Sequence, residues 1–191
     1  MFGWDWGLAL PDSGIWRDIY IECFNEGKIE DVHILQEHNS GKVTLKIKSS
    51  CKVLSKKNLA VSVNTTSPDG KKSSAAGQVN AECDESLACI TIADLQLWWP
   101  NGFGEQPLYQ VEVLLKDGDT LLDSKQLQIG LRTIYLRREE DKWGKSYEFV
   151  VNGKALFIKG SDLIIEDALL GRCSKEFQPA ESNAYNKRMA D

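Results

Sequence analysis

The sequence contains few of the residues that build metal centres or disulfide frameworks. Only two histidines and five cysteines occur among the 191 residues, and the cysteines are odd in number and irregularly spaced. A structural zinc site needs four such ligands at close spacing, and a disulfide framework needs cysteines in pairs. We therefore expect free thiols, no metal site and no cofactor.

The chain also lacks a basic excess and a long apolar run. Its 23 basic and 28 acidic residues give a formal net charge of −5, which argues against a nucleic-acid backbone or an anionic membrane surface as partner. No apolar run approaches the roughly 18 residues of a membrane-spanning helix, and Met1 opens no charged-then-apolar signal pattern. The hydrophobic content of 42% is enough for a core. These numbers predict a globular chain with a neutral ligand.

Short segments in which apolar and polar residues alternate dominate the middle of the chain. Period two is typical of half-buried antiparallel strands. Four segments carry the apolar series Val43, Leu45, Ile47; Leu59, Val61, Val63; Tyr109, Val111, Val113, Leu115; and Leu127, Ile129, Leu131. Turn residues lie between segments at 39–41, 67–70 and 117–118. About seven or eight strands between Cys23 and Arg138 predict an immunoglobulin-like β-sandwich.

The pattern changes after Arg138. The charged segment 138–142 is interpreted as a solvated boundary, and the Asn-Gly dipeptide at 152–153 predicts a hairpin between residues 147–151 and 155–159. Residues 174–191 have a helix-like pattern that runs to the last residue without a cap. The chain is therefore expected to be truncated there.

The first residues carry an unusual density of tryptophan. Residues 3–7 read Gly-Trp-Asp-Trp-Gly, and Trp16 follows soon after. An indole face stacks on the apolar C–H face of a pyranose, while a carboxylate accepts hydrogen bonds from adjacent hydroxyls. Trp4 and Asp5 are therefore candidates for a carbohydrate site. The alternative is that the tryptophans are core residues and Asp5 caps a turn, since aromatic residues fill cores far more often than they bind sugars.

Four motifs occur in a fixed order, at residues 3–17, 97–109, 129–134 and 149–160. Together they resemble β-mannosidases of glycoside hydrolase family 2. In that family such motifs close the N-terminal sugar-binding-type sandwich, form a loop and strand of the immunoglobulin-like domain, form its exit strand, and lead into the catalytic (β/α)8 barrel. Four motifs in one order are far more specific than any one alone.

The resemblance implies a mainly β chain of three parts. Residues 1–22 would end the jelly-roll sugar-binding-like sandwich, residues 23–138 would form the immunoglobulin-like sandwich, and residues 139–191 would hold a linker, the hairpin and the truncated start of the (β/α)8 barrel. The implied partners are a mannoside or manno-oligosaccharide substrate and, within the parent, the jelly-roll and barrel domains.

The implied activity is retaining hydrolysis of terminal, non-reducing β-D-mannose. By resemblance Trp4 stacks on the sugar, Asp5 binds its hydroxyls and Trp6 is structural. The reaction uses an acid/base and a nucleophilic carboxylate, about 5 Å apart. In the family both lie late in the barrel, so the chain is expected to hold no catalytic residue and to act as a scaffold.

Two sequence features depart from the family or imitate it. Residues 159–167 place Asp162 and Leu163 where the family usually has Asn-Trp, which puts substrate binding there in doubt. The dipeptide at residues 25–26 copies the family's Asn-Glu acid/base motif, but we expect a turn. Two alternative functions stay open: a stand-alone carbohydrate-binding sandwich, and a fragment of a related β-galactosidase or β-glucuronidase.

Three other candidate sites have simpler interpretations. The Asp-Gly-Asp at residues 117–119 lacks the spacing of a calcium loop and fits a hairpin turn. His33 and His38 have no neighbouring serine or cysteine in a recognisable triad, and are expected to be solvated or packed. The Trp98-Trp99 pair could be a binding platform, but packing between the sandwich and the barrel is favoured.

Overall fold

A computed structural model of the chain describes residues 9, 13–15 and 17–160. Cys23–Ile158 form one compact unit; a second unit takes in Met1–Glu22 and Lys159–Asp191, and its described residues form no helix or strand. Predictions for the helix-like stretch 174–191 lie outside the described residues.

Seven strands of the larger unit form two antiparallel sheets. One sheet has the order β1-β2-β5 and the other the order β4-β3-β6-β7. Their bounds are β1 Gly27–Asn39, β2 Lys42–Val53, β3 Leu59–Thr66, β4 Lys72–Val79, β5 Glu85–Ile92, β6 Tyr109–Asp117 and β7 Thr120–Ile129. The prediction of a mainly β, immunoglobulin-like sandwich is therefore confirmed for the described residues.

The core lies between the two sheets and is built by the alternation that the sequence shows. Three of the four apolar series, on β2, β3 and β6, are buried along their whole length. Burying each such side chain contributes about 1.5–3 kcal/mol. The fourth series differs: Leu127 and Ile129 are only half-buried and Leu131 is buried beyond the end of β7. The reason is that β7 is an edge strand.

Tyr109 closes one end of the sandwich at the first residue of β6. Its side chain has no exposed surface, and its hydroxyl accepts a hydrogen bond from Gln96 N (3.1 Å) and donates one to Asp94 O (3.4 Å). A buried tyrosine near the start of this strand that bonds backbone upstream resembles the tyrosine corner of immunoglobulin-like sandwiches, although its partners here lie 13 and 15 residues upstream. The sequence shows no Cys-Trp-Cys pattern, so this side chain is the detailed feature that the chain shares with that architecture.

A smaller sheet of order β12-β11-β8 follows the sandwich. Its strands are β8 Ile134–Arg137, β11 Glu148–Val151 and β12 Lys154–Leu156, while β9 Glu140–Asp141 and β10 Gly144–Lys145 form an exposed hairpin between β8 and β11. The predicted Asn-Gly hairpin is confirmed, with φ of 49° at Asn152 and 79° at Gly153. The charged segment is exposed as interpreted, yet the strands on either side of it pair with each other. The domain bounds 1–22, 23–138 and 139–191 stay predictions.

We expect the Tyr109→Phe substitution to lower the free energy of unfolding by about 1–2 kcal/mol, because two partly buried backbone groups lose their partner. Chemical denaturation of the chain measures this. The matched control is Tyr135→Phe, since Tyr135 is 53% exposed. Equal stability of the two variants would contradict the role given to the Tyr109 hydroxyl.

Candidate functional site

The two predicted sugar-binding residues, Trp4 and Asp5, lie outside the described residues. Asp162 and Leu163, where the sequence departs from the family, also lie outside them. The roles of these four residues stay predictions. What the structure does describe is the segment by which the chain leaves the sandwich, together with the tryptophan pair beside it.

The Asn25-Glu26 dipeptide forms a bend directly before β1. The carbonyl of Glu26 accepts a hydrogen bond from Leu54 N (2.8 Å), and its carboxylate lies 3.9 Å from the Lys57 ammonium. The dipeptide forms a bend, in line with the expected turn. The bend precedes the first described strand and does not join two described strands. Its contacts are those of a structural connection.

The interpretation of residues 117–119 as a hairpin turn agrees with the geometry. Residues 117–119 form the β6–β7 turn, and the Asp117 carboxylate pairs with Lys57 at 2.7 Å.

Among the described residues, no three His, Cys, Asp or Glu side chains are grouped so as to hold a metal ion. The four cysteines in this part of the chain are free thiols, and burial raises the pKa of Cys51 to about 11. No helix within the described ranges has the length and apolar character that a membrane span requires.

Trp98 packs against the segment that leaves the sandwich. A Cβ atom added at Gly130 would lie 2.6 Å from Trp98 Cγ, so the backbone there touches the indole and tolerates no side chain. The Arg132 guanidinium lies 4.8 Å from the centre of the Trp98 ring, a cation–π contact. The contact that the structure describes is with the sandwich exit, and the favoured packing between the sandwich and the barrel stays a prediction.

Residues 130–133, which we call the exit segment, have their backbone groups bound by three distant residues. Gln36 Nε2 donates to Gly130 O (3.0 Å) and Gln36 Oε1 accepts from Arg132 N (3.1 Å). Trp98 N donates to Leu131 O at 2.9 Å. The bonds of Gln36 span the gap between the two sheets, because Gln36 lies on β1 and the exit segment follows β7.

Asn152 completes this arrangement from the hairpin turn. Its Oδ1 accepts from Thr133 N (2.9 Å), its Nδ2 donates to Trp98 O (3.0 Å), and its backbone N donates to Thr133 O (3.0 Å). We call Gln36, Trp98, the exit segment and Asn152 the junction. The Asn152 side chain bonds both the exit segment and the backbone of Trp98. These bonds hold the β11–β12 hairpin against the sandwich.

His38 borders the junction. Its Nε2–H donates to Gln36 Oε1 at 3.1 Å. Burial lowers the pKa of His38 below its ordinary value of 6.5, and a hydrogen bond with the backbone of Arg132 opposes that shift. The His38 side chain is half-buried, whereas His33 is exposed, so each histidine follows one of the two expected alternatives. Sequence reasoning missed the contact of His38 with Gln36, and it missed the junction itself.

The described residues thus form an immunoglobulin-like sandwich whose exit segment is held by hydrogen bonds from Gln36, Trp98 and Asn152. The family model for glycosyl hydrolases family 2 matches residues 27–132, more than half of the chain. The chain belongs to this family.

Two similar relatives are fungal enzymes. The chain is 31% identical to β-mannosidase B of Emericella nidulans over 88% of its length, and 33% identical to β-mannosidase B of Aspergillus oryzae over 92%. It covers 20% and 21% of these two proteins. The chain thus spans about a fifth of the length of the curated relatives it matches.

Two solved structures define the fold relationship. A β-D-mannosidase from Dictyoglomus thermophilum matches 92% of this chain with a TM-score of 0.81 and 27% identity, and the chain covers 22% of it. An exo-chitosanase from Amycolatopsis orientalis matches 72% of the chain with a TM-score of 0.57 and 24% identity, and the chain covers 16% of it. The second likeness supports the fold alone.

We expect Asn152→Gly to destabilise the chain by about 1–3 kcal/mol, because glycine keeps the positive φ but removes both side-chain hydrogen bonds. Asn152→Ala should cost about 1–2 kcal/mol more, because alanine also resists that φ. Chemical denaturation gives both values. Amide hydrogen exchange should show faster exchange at Thr133 in either variant.

The control for this pair is Asn101→Gly, in an exposed turn where the side chain makes no hydrogen bond within the described residues. An Asn152→Gly variant as stable as Asn101→Gly, with unchanged exchange at Thr133, would show that the junction does not depend on Asn152.

We expect the stability of the chain to fall as the pH drops through 6.5, in part because of His38. Its folded-state pKa is lowered, so the unfolded chain takes up a proton before the folded chain does. The His38→Gln variant should lose less stability than the wild type between about pH 7.5 and 5.5. Denaturation at both pH values tests this. A His33→Gln variant is the control, and an identical pH response of both variants would contradict the prediction.

Proposed function

We propose that the chain is one segment of an exo-β-mannosidase that removes terminal, non-reducing β-D-mannose, and that its own role is to position the sugar site. The observation that carries the proposal is the extent of the likeness. Similarity to β-mannosidases runs through 88–92% of the chain at 31–33% identity, well beyond the residues matched by the family model.

In this proposal Trp4 stacks on the mannose ring and Asp5 accepts hydrogen bonds from its hydroxyls. Trp6 is structural. An indole and a carboxylate next to each other in sequence offer both kinds of contact that a pyranose needs. Asp162 and Leu163 would lie near the mouth of the site, where they replace an amide and an aromatic side chain of the family pattern and so alter the contacts made there.

The acid/base and the nucleophile are proposed to lie outside these 191 residues. Retaining hydrolysis needs two carboxyl groups facing each other across the scissile bond, roughly 5–5.5 Å apart. In barrel enzymes these groups project from the C-terminal ends of several different strands. The chain covers about a fifth of its relatives, and so leaves most of their length for such strands.

The parent's neighbouring domains, a jelly-roll and a (β/α)8 barrel, are the proposed packing partners. Large apolar side chains are exposed near both ends of the described ranges, at Tyr20 and Ile21 and at Tyr147 and Phe157. Exposed apolar surface of this kind marks interaction sites. The domain layout 1–22, 23–138 and 139–191 is part of the same proposal.

The junction gives the scaffolding role a physical form. Misplacement of a binding group by about 1 Å can cost about 100-fold in rate. A flexible connection after the sandwich would allow such misplacement. The hydrogen bonds that Gln36, Trp98 and Asn152 make with the exit segment support this role, because they oppose flexibility of the connection.

The 191-residue chain alone should release no 4-nitrophenol from 4-nitrophenyl β-D-mannoside above the rate in buffer. The physical reason is that one sugar-binding half-site without the two carboxylates lowers no barrier. A catalytically inactive bovine albumin sample at the same concentration is the blank. Enzyme-like turnover by the purified chain would contradict the placement of both carboxylates outside it.

A hybrid enzyme tests the positive part of the proposal. The chain replaces the structurally matched segment of the Dictyoglomus thermophilum β-D-mannosidase, and the hybrid is assayed on aryl β-mannoside, β-galactoside and β-glucuronide. We expect activity on the mannoside. Trp4→Ala and Asp5→Asn should each lower kcat/KM by about 10- to 100-fold, because each removes one sugar contact.

The matched control in the hybrid is Asp119→Asn, in the exposed β6–β7 turn. A folded hybrid that prefers the glucuronide or galactoside would overturn the mannosidase assignment. Full activity of the Trp4 and Asp5 variants would overturn their roles while leaving the assignment in place.

A further inference from the structure

The two adjacent tryptophans have different surroundings. Trp98 is covered by Gly130 and by the Arg132 guanidinium, so its indole belongs to the junction. Trp99 instead lines an open surface depression of about 670 Å³, together with Gln96, Glu105 and Gln106. The contacts with the exit segment therefore belong to Trp98, while Trp99 borders the depression; packing of the pair against the barrel stays a prediction.

The indole of Trp99 is held in place by its own loop, residues 99–105. Trp99 N donates to Glu105 O (2.9 Å) and Phe103 N donates to Pro100 O (3.0 Å), which closes the loop on itself. A Cβ atom added at Gly104 would lie 2.8 Å from Trp99 Cδ1, so the backbone of this residue packs on the ring. An aromatic wall that is fixed before binding loses little entropy when a ligand arrives.

The polar side chains around the depression are free to bind. Within the described part of the chain, the side chains of Gln96, Glu105 and Gln106 make no hydrogen bond or ion pair. Together they offer two amides and one carboxylate. The described lining of the depression includes no lysine or arginine, so it gives no reason to expect an anion. An uncharged ligand rich in hydroxyl groups uses all of these groups.

We propose that the depression beside Trp99 is a second carbohydrate-binding site, which takes one or two pyranose units of a neutral oligosaccharide. The C–H face of one ring lies on the Trp99 indole, the Glu105 carboxylate accepts hydrogen bonds from neighbouring hydroxyls, and the two glutamine amides bind the remaining hydroxyls. The volume falls in the ordinary range for small-molecule sites. The choice of mannose as the sugar rests on the proposed mannosidase function.

The affinity should be weak, because one aromatic wall and an open rim bury only part of the sugar. We expect a dissociation constant of about 1–10 mM for mannobiose, the range of ligands held by a few contacts. Weak binding suits a site that contacts a longer oligosaccharide and lets it dissociate quickly.

Indole N–H signals in ¹H–¹⁵N NMR spectra test the proposal on the 191-residue chain. Each of the six tryptophans gives its own indole N–H signal, so a shift can be assigned to one tryptophan. Titration with mannobiose should shift the Trp99 signal in a saturable way. In Trp99→Ala, the signals of the other residues near the depression should no longer shift in a saturable way. Glu105→Gln should weaken binding several-fold, since it removes the carboxylate charge and keeps the shape of the side chain.

Gly104→Ala supplies a second, independent variant. The added methyl group meets the indole at 2.8 Å and must displace it, so binding should weaken although no ligand contact is deleted. Trp143→Ala is the matched control, because Trp143 is an exposed tryptophan that does not line the depression. It should bind mannobiose like the wild type. The backbone amide signals of each variant show directly whether the sandwich is intact.

Three results would overturn the inference: no shift at Trp99 with mannobiose up to about 50 mM, well above the expected range; unchanged binding in both Trp99→Ala and Glu105→Gln; or saturable shifts confined to Trp4 and Trp6. The last result would support the proposed mannosidase function while rejecting the second site. Equal affinity for cellobiose would uphold the site and remove only its preference for mannose.

Discussion

The chain's departure from the sandwich depends on one constraint, which is that backbone groups leaving a sheet must find new hydrogen-bond partners. An unpaired buried group costs about 1–3 kcal/mol. In the exit segment, residues 130–133, the partners are Gln36, Trp98 and Asn152, which come from three separate parts of the chain. The direction in which the polypeptide leaves β7 is therefore set by these bonds, and the β11–β12 hairpin follows from it.

This constraint links the fold to the proposed activity. A connecting domain helps catalysis only if it transmits position, and a loose connection would average over many orientations. The Asn152 side chain bonds to Thr133 and to Trp98 at once, which fixes the hairpin relative to the sandwich. The stiffness resides in a few directional hydrogen bonds and in the contact of Gly130 with an indole, where a larger residue would not fit.

Local features of the fold could be predicted because their causes are local, whereas the junction could not, and the roles of the sugar residues stay predictions. Alternation along β2 requires only that side chains of a strand point to opposite faces, and the turn at Asn152 requires only positive φ. Gln36, in contrast, bonds residues 94 and 96 positions away, and nothing near it indicates that partner. Family membership, shown by the match over residues 27–132, assigns no role to Trp4 or Asp5, because such roles depend on contacts with sugar.

The tryptophan pair shows why composition cannot separate packing from binding. Trp98 and Trp99 meet different surroundings although they are adjacent in sequence. One indole meets Gly130 and Arg132, and the other meets Gly104 and an open depression. Two adjacent aromatic residues therefore have separate contacts: the first packs on the exit of the sandwich, and the second is held beside the depression by Glu105 and Gly104.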